Sequence, residues 1–316
     1  MISYDLCLAW NWEYDADFAD LLDTACRSQE LGLLQVTPDN LAHVLGALDD
    51  QQVAFRALLD RASDTDARFM PLVEWARQYS AHCINHHERA RRTWDKANMH
   101  LALISAGLQT PYTIVLPPFT EQPVLSPLDL SPLGERFTIK PAHGGGGEGV
   151  VMEATSWDQA CAARQAHPTD RYLLQAHIAP IHLDARPAWF RVIYCAGQVY
   201  PCWWDTDTHV YTPVTWDEEN RYGLSPLYTT AIAIANLCGL ELFSTEISLS
   251  YDGLFVVVDY VNDQLDLRLQ SQAADGVPDD VVRDIAGRLA GRATDHPIPH
   301  SLIPRSPSPQ NTGDHP

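Results

Sequence analysis

The sequence predicts a mixed α/β and α+β protein: a small N-terminal parallel α/β lobe, then a two-lobed domain built on antiparallel sheets. The boundaries fall at residues 1–95, 96–178 and 179–294, with a disordered tail over 295–316. Three observations carry this reading. Up to residue 95, short apolar runs alternate with helical stripes, the pattern of strands joined by helical crossovers. From about residue 96, strands follow one another across short turns, as in antiparallel hairpins. Residues 297–316 are rich in Pro, Ser, Asn and Asp and bury too little apolar surface to offset the entropy of ordering.

Each element has its own signal. Residues 5–10 (DLCLAW) are an apolar run that reads as a buried strand. Phe18, Leu21, Leu22, Ala25 and Cys26 form a helical stripe over 16–30. Residues 33–36 are a second strand, closed by Thr37, Pro38, Asp39 and Asn40. Helical spacing returns over 41–48, a strand over 54–59, and a helix over 71–79 that starts at Pro71. In the next lobe the expected elements are a helix at 96–106 stopped by Gly107, strands at 112–116, 137–140, 150–153 and 172–178, and a helix at 157–166. Residues 117–133 are a Pro-rich loop. Strands at 188–195, 198–204, 242–249 and 254–261, with helices at 226–238 and 280–291, complete the chain.

Composition excludes several functions. The net charge of -20 repels nucleic acid and anionic membranes, so small molecules are the expected partners. No apolar run approaches the roughly 18 residues that span a bilayer, and the N-terminus reads as the first strand rather than a leader, which predicts a cytoplasmic protein. Seven scattered cysteines with no C-x-x-C pair fit reduced thiols better than a disulfide framework or a zinc site. The sequence leaves a homodimer open.

Four constellations bear on chemistry. The segment 137–150 (FTIKPAHGGGGEGV) delivers Lys140 at a strand end and follows it with a glycine-rich turn. Glycines let backbone N–H groups approach phosphate oxygens, and Lys140 supplies a charge; the alternative is a flexible hairpin tip. Lys96 opens a helix, where a cation is unfavourable unless a bound anion offsets it; alone it also reads as a surface lysine. In 243–249 alternation puts Ser244, Glu246 and Ser248 on one face, and the next strand ends in Asp259 and Asn262, oxygen ligands suited to magnesium or simply polar strand ends. Arg191 lies among apolar neighbours and needs an anion, either Glu246 or Asp259 or a phosphate.

These pieces occur in an order that resembles the ATP-grasp superfamily, in particular carboxylate–amine ligases of the glutathione synthetase and ribosomal-protein-glutamate ligase type. Asp95–Lys96 with 107–113 (GLQTPYT), then 139–141 with the glycines, then 172–178, then Glu246, Asp259 and Asn262, follow the family's sequence of motifs. Residues 1–95 would then be its pre-ATP-grasp domain. The resemblance implies ATP and Mg2+ as cofactors. It assigns Lys96 and Lys140 to the α- and β-phosphates, and the loop Gly144, Gly145, Gly146, Gly147, Glu148 and Gly149 to the β- and γ-phosphates. Gln175, His177 and Ile178 would flank adenine, and Asp184 would reach the ribose. Arg191 would stabilise the transferring phosphoryl group, with Lys140 beside it, and Glu246, Asp259 and Asn262 would hold the metal. The implied reaction activates a carboxylate as an acyl phosphate and joins it to an amine. Phosphorylation of a hydroxyl and non-catalytic nucleotide binding are the alternatives. Asn11, Trp12 and Trp204 are candidate substrate contacts, their aromatic and acidic surroundings suiting an amine-bearing substrate, and Arg268 is a candidate carboxylate ligand.

One departure stands out. The family's last strand usually ends Glu-x-Asn, with both ligands on one face. Here Asp259 and Asn262 are three apart, which an ideal strand places on opposite faces. Either a bulge brings Asn262 round, or Asp263 substitutes for it.

Overall fold

The computed structural model describes residues 1–145 and 147–295; Gly146 and residues 296–316, which include nearly all of the expected tail, lie outside the described residues. The described residues form two compact units, one of residues 1–84 with 289–295, the other of residues 85–288. The division falls at Ile84/Asn85, eleven residues before the expected boundary at 95.

The first unit is a parallel sheet with helices. Its elements are β1 (Ile2–Trp10), α1 (Ala16–Ser28), β2 (Leu33–Val36), α2 (Leu41–Asp49), β3 (Val53–Arg61), α3 (Met70–Gln78) and β4 (His82–Ile84). The strand order is β2-β1-β3-β4, all parallel. Leu6, Cys7, Leu8 and Ala9 are buried on both faces of β1, which is why this strand shows no alternation. At the carboxyl end of the sheet, Arg61 donates from Nε and Nη2 to the two oxygens of Asp15 at 3.0 and 2.7 Å, both side chains buried.

The second unit begins with α4 (His87–Thr93), α5 (Lys96–Ser105), β5 (Thr113–Leu116), β6 (Phe137–Pro141), β7 (Val151–Ala154), α6 (Trp157–Ala166) and β8 (Tyr172–Ala176). Here β5-β8-β6-β7 make an antiparallel sheet over a core of Leu116, Phe137, Ile139, Tyr172 and Leu174. A short hairpin, β9 (His182–Leu183) and β10 (Arg186–Pro187), leads to β11 (Trp189–Cys195), β12 (Gln198–Trp204), β13 (Tyr211–Pro213), α7 (Trp216–Tyr222), α8 (Ser225–Cys238), β14 (Leu242–Leu249), β15 (Phe255–Asn262) and α9 (Asp279–Arg292), whose residues from Leu289 belong to the first unit. The second sheet has the order β13-β12-β11-β14-β15 and is antiparallel throughout. Its inner face packs Phe190, Val192, Phe243, Ile247 and Val257 against α5 and α8 through Met99, Leu103, Leu227 and Ile234.

The mixed class therefore stands: among the described residues one four-stranded sheet is parallel, and sheets of four and five strands and the β9–β10 hairpin are antiparallel. Two helices escaped the sequence reading. α4 buries only Ala90 and Thr93, and α7 buries nothing, so neither has an apolar stripe. All seven cysteines are free thiols. Among the described residues, no helix is long and apolar enough to cross a membrane.

Candidate active site

The site is built where β6, its glycine turn, the start of α5 and the end of β15 meet, all within the second unit. β6 is buried along its length and carries Lys140 to its carboxyl end, where the side chain is 8% exposed. Asp95 caps α5 by accepting from the backbone of Ala97 and Asn98 at 3.0 and 3.1 Å, which fixes Lys96 as the first helical residue. The backbone N–H of Lys96 donates to the Ala142 carbonyl at 2.8 Å, and its ammonium reaches the Gly144 carbonyl. The His143 backbone and ring are held by Asp170, each at 2.9 Å. The turn itself needs glycine: Gly149 has φ +70°, and a Cβ there would lie 3.1 Å from the His167 ring and 3.3 Å from Pro141.

β15 brings its candidate oxygen donors together by way of two bulges. Ser244 pairs with Asn262 and Glu246 with Asp259, so one residue between on β14 faces two between on β15. The next pair is Ile247 with Val257, so Val258 is a second extra residue. Each extra residue changes which face the following side chain occupies. Asp259 and Asn262 thus share the face of Ser244 and Glu246, while Val257 and Tyr260, also three apart, both enter the core. The bulge also leaves the Val258 carbonyl to the Lys140 ammonium, 3.4 Å away. Asp263 is placed otherwise: it is buried and accepts from the Trp94 indole at 3.0 Å.

A cavity of about 240 Å³ results, lined by Lys96, Lys140, Gly144, Gly145, Gly147, Glu148, Asp259 and Asn262 with Pro141, Val150 and Val261. Burial pulls the Lys140 ammonium below the ordinary lysine range and Lys96 adds to this, while Asp259 and Glu246 oppose it. Burial likewise pushes the Glu246 carboxyl above its usual range, and Arg191 is the largest opposing influence. Among the described residues no three His, Cys, Asp or Glu side chains group around one point. A divalent cation here would be held by the Asp259 and Glu246 carboxylates and the Asn262 amide, hard oxygen donors that suit magnesium.

Beside the cavity, Arg191 donates to Glu246 at 3.0 Å and to Ser244 at 3.3 Å, and its guanidinium lies 5.0 Å from the centre of the Trp204 ring. Burial opposes the Arg191 charge, but Tyr211, Glu246, Asp259 and Asp266 outweigh it, so the cation is held more firmly than usual. Trp204 stacks on His209 and meets Tyr211 edge-on. Two residues that sequence reasoning did not single out belong to this group. Trp189 donates from its indole to Glu246 at 3.0 Å; its position two before Arg191 on one strand was a readable signal. His100 bonds the Tyr260 hydroxyl at 2.8 Å, and burial, with Lys140 nearby, lowers its pKa.

Other expected site residues are not among those that line the cavity. Gln175 is buried and donates to Tyr260 at 2.8 Å and Thr113 at 3.2 Å. The expected strand 172–178 ends at Ala176, so His177 and Ile178 belong to the following segment, with His177 at 4.0 Å from Glu153. Asp184, at the tip of the β9–β10 hairpin, accepts from Tyr222 at 2.5 Å and Arg221 at 3.2 Å. Arg268 is already held by Asp266 and Asp275, at 2.7 and 2.8 Å. Asn11 and Trp12 are in the first unit, where Asn11 donates to Thr65 at 3.0 Å and Trp12 meets the Tyr14 ring edge-on. Gly146 lies outside the described residues.

No protein-family model and no curated protein sequence matches the chain. Solved structures do. A RimK domain ATP-grasp protein from Sphaerobacter thermophilus is 20% identical, with 90% of this chain and 98% of that chain covered and a TM-score of 0.60. The D-alanine–D-alanine ligase of Bacillus anthracis, solved with ATP, is 11% identical over 94% of this chain and 97% of its own, with a TM-score of 0.64. The ATP-grasp ligase PsnB, solved with a minimal precursor, Mg and ADP, is 13% identical over 93% and 99%, with a TM-score of 0.63. Structural likeness across nine-tenths of the chain gives this protein the fold of the ATP-grasp superfamily.

Proposed function

We propose that the protein is an ATP- and magnesium-dependent ligase that activates a carboxylate as an acyl phosphate and joins it to an amine, on an amino acid or a peptide-like small molecule. The observation that carries the proposal is the convergence of Lys96, Lys140, the glycine turn, Asp259 and Asn262 on one cavity. Two cations and a run of backbone amides suit a polyphosphate, and the facing oxygens suit its metal. Solved relatives in fold that bind ATP, or Mg with ADP, support the same reading.

In this reading Lys96 and Lys140 hold the inner phosphates, and Gly144, Gly145, Gly147, Glu148 and Gly149 cover the outer ones. Bound magnesium would neutralise phosphate charge between Glu246, Asp259 and Asn262. Arg191, oriented by Glu246 and Trp204, stabilises the phosphoryl group in transfer and then the oxyanion formed when the amine attacks. Catalysis rests on positioning and charge neutralisation rather than on a protein nucleophile. Gln175, whose side chain is engaged with Tyr260 and Thr113, is the proposed adenine contact together with His177 and Ile178. Asp184 is the proposed ribose contact. Asn11, Trp12, Trp204 and Arg268 are the proposed substrate contacts; Arg268 acts there through rearrangement of its two carboxylate partners.

The test is an ADP-release assay against pools of amino acids and small carboxylic acids, with Lys140→Met as the inactive control. Turnover that needs both a carboxylate and an amine, and vanishes in the control, supports the ligase. Silence with every pool, in protein that binds nucleotide with magnesium, would overturn it.

A further inference from the structure

The Glu246 carboxylate has both oxygens engaged by neighbours on β11: Arg191 Nη1 donates to Oε1 and Trp189 Nε1 to Oε2, each at 3.0 Å. The strand register explains the pairing. Arg191 lies directly opposite Glu246, and Trp189 lies opposite Ser248, so period-two alternation puts both side chains on the face of Glu246 while Phe190 and Val192 enter the core. The two donors differ in kind. Arg191 is a cation, assigned in the proposed reaction to the transferring phosphoryl group. The Trp189 indole is neutral, donates one hydrogen bond and cannot accept. It orients the carboxylate without cancelling its charge, and its ring is half-buried at the start of β11. A carboxylate expected to bind a cation therefore has one neutral donor and one cationic donor.

We propose that Trp189 is a positioning residue for the metal site: its indole N–H holds Glu246 in the orientation that binds the divalent cation. This rests on the ligase reading only through the assignment of Glu246 as a metal ligand. Removing a hydrogen-bond partner from a metal ligand typically weakens the metal by about 10- to 100-fold.

The experiment titrates Mn2+ into the full chain with ADP present and reads free Mn2+ by electron paramagnetic resonance, so no substrate need be known. Trp189→Phe removes the donor and keeps a ring; Trp189→His keeps both a planar ring and an N–H. Trp189→Leu is a second donor-less variant should Trp189→Phe not fold, and thermal melting reports folding in each. The expected result is Mn2+ affinity about 10-fold weaker in Trp189→Phe, with recovery toward the wild type in Trp189→His. Metal-free ADP affinity, read with a fluorescent ADP analogue, stays within twofold in both. Mn2+ affinity equal to wild type in a folded donor-less variant overturns the role of Trp189 and leaves the ligase reading standing. A wild-type protein that binds no Mn2+ with ADP overturns both.

Discussion

Lys140→Met separates what the site does from what holds the fold. The Lys140 ammonium is 8% exposed, and its contacts are weak for a buried cation: the Val258 carbonyl at 3.4 Å and the Tyr260 ring at 5.2 Å. A cation–π contact contributes about 0.5–2 kcal/mol, and a hydrogen bond of that length falls at the low end of its range. Desolvating an ammonium costs several kcal/mol even after relaxation. The balance is visible in the direction of its pKa, which burial lowers more than Asp259 and Glu246 raise it. Methionine fills the same stem volume without the charge. Lys140→Met is therefore expected to leave unfolding free energy unchanged or raise it by about 1–3 kcal/mol, while weakening Mg–ATP binding by about 10- to 100-fold through loss of a charged hydrogen bond to phosphate. Linkage adds a second check. Between the lowered native pKa and the ordinary lysine value, the unfolded chain carries a proton that the native protein lacks, so stability rises with pH across that window. The wild-type-minus-variant difference should climb with pH there. Urea unfolding from neutral to alkaline pH and a fluorescent nucleotide titration measure both effects. A loss of stability above about 2 kcal/mol, or unchanged nucleotide affinity, would refute the reasoning.

Two further outcomes follow from neighbouring features. Arg61→Ala leaves the 2%-exposed Asp15 as an uncompensated buried charge, so urea unfolding should show a loss of about 3–5 kcal/mol in the first unit; Arg61→Lys should recover only part of it, because lysine cannot reproduce the two-point contact. Asn262→Ala should weaken Mn2+ binding with ADP by about 10-fold or more, whereas Asp263→Asn, which keeps an acceptor for the Trp94 indole, should leave Mn2+ binding within twofold by the same resonance titration.

The longer strands and the lysine-bearing elements were legible because each carries a strong local pattern, whereas the two- and three-residue strands β4, β9, β10 and β13 are too short to show one and were missed. The double burial of β1, the strand into Lys140 and the glycine run all leave marks in composition alone. α7 was invisible to periodicity, since it buries nothing, although its Thr215/Glu218 capping box was there to be read. The side-chain partners were harder. Nothing local to Gln175 announces that it bonds Tyr260, eighty-five residues on, and nothing local to Arg268 announces that Asp275 will meet it. Such pairings are set by which strands become neighbours. The choice between Asn262 and Asp263 was open for the same reason: a bulge is decided by the partner strand's register, and Trp94 competes for Asp263 from elsewhere in the chain.

The irregular end of β15 also bears on how such a chain tolerates change in length. Along a regular strand, deleting one residue turns every later side chain inside out. Here the surplus residues are what bring Asp259 and Asn262 to the same side as Glu246. Losing Val261 would restore the two-residue interval of a regular strand and keep both polar groups together, whereas losing one residue from a straight neighbour such as β11 would drive Arg191 toward the core. Segments that already hold slack can shed it without moving the chemistry. That makes the interval between the two polar groups a poor fingerprint of descent, and their shared side of the sheet a better one.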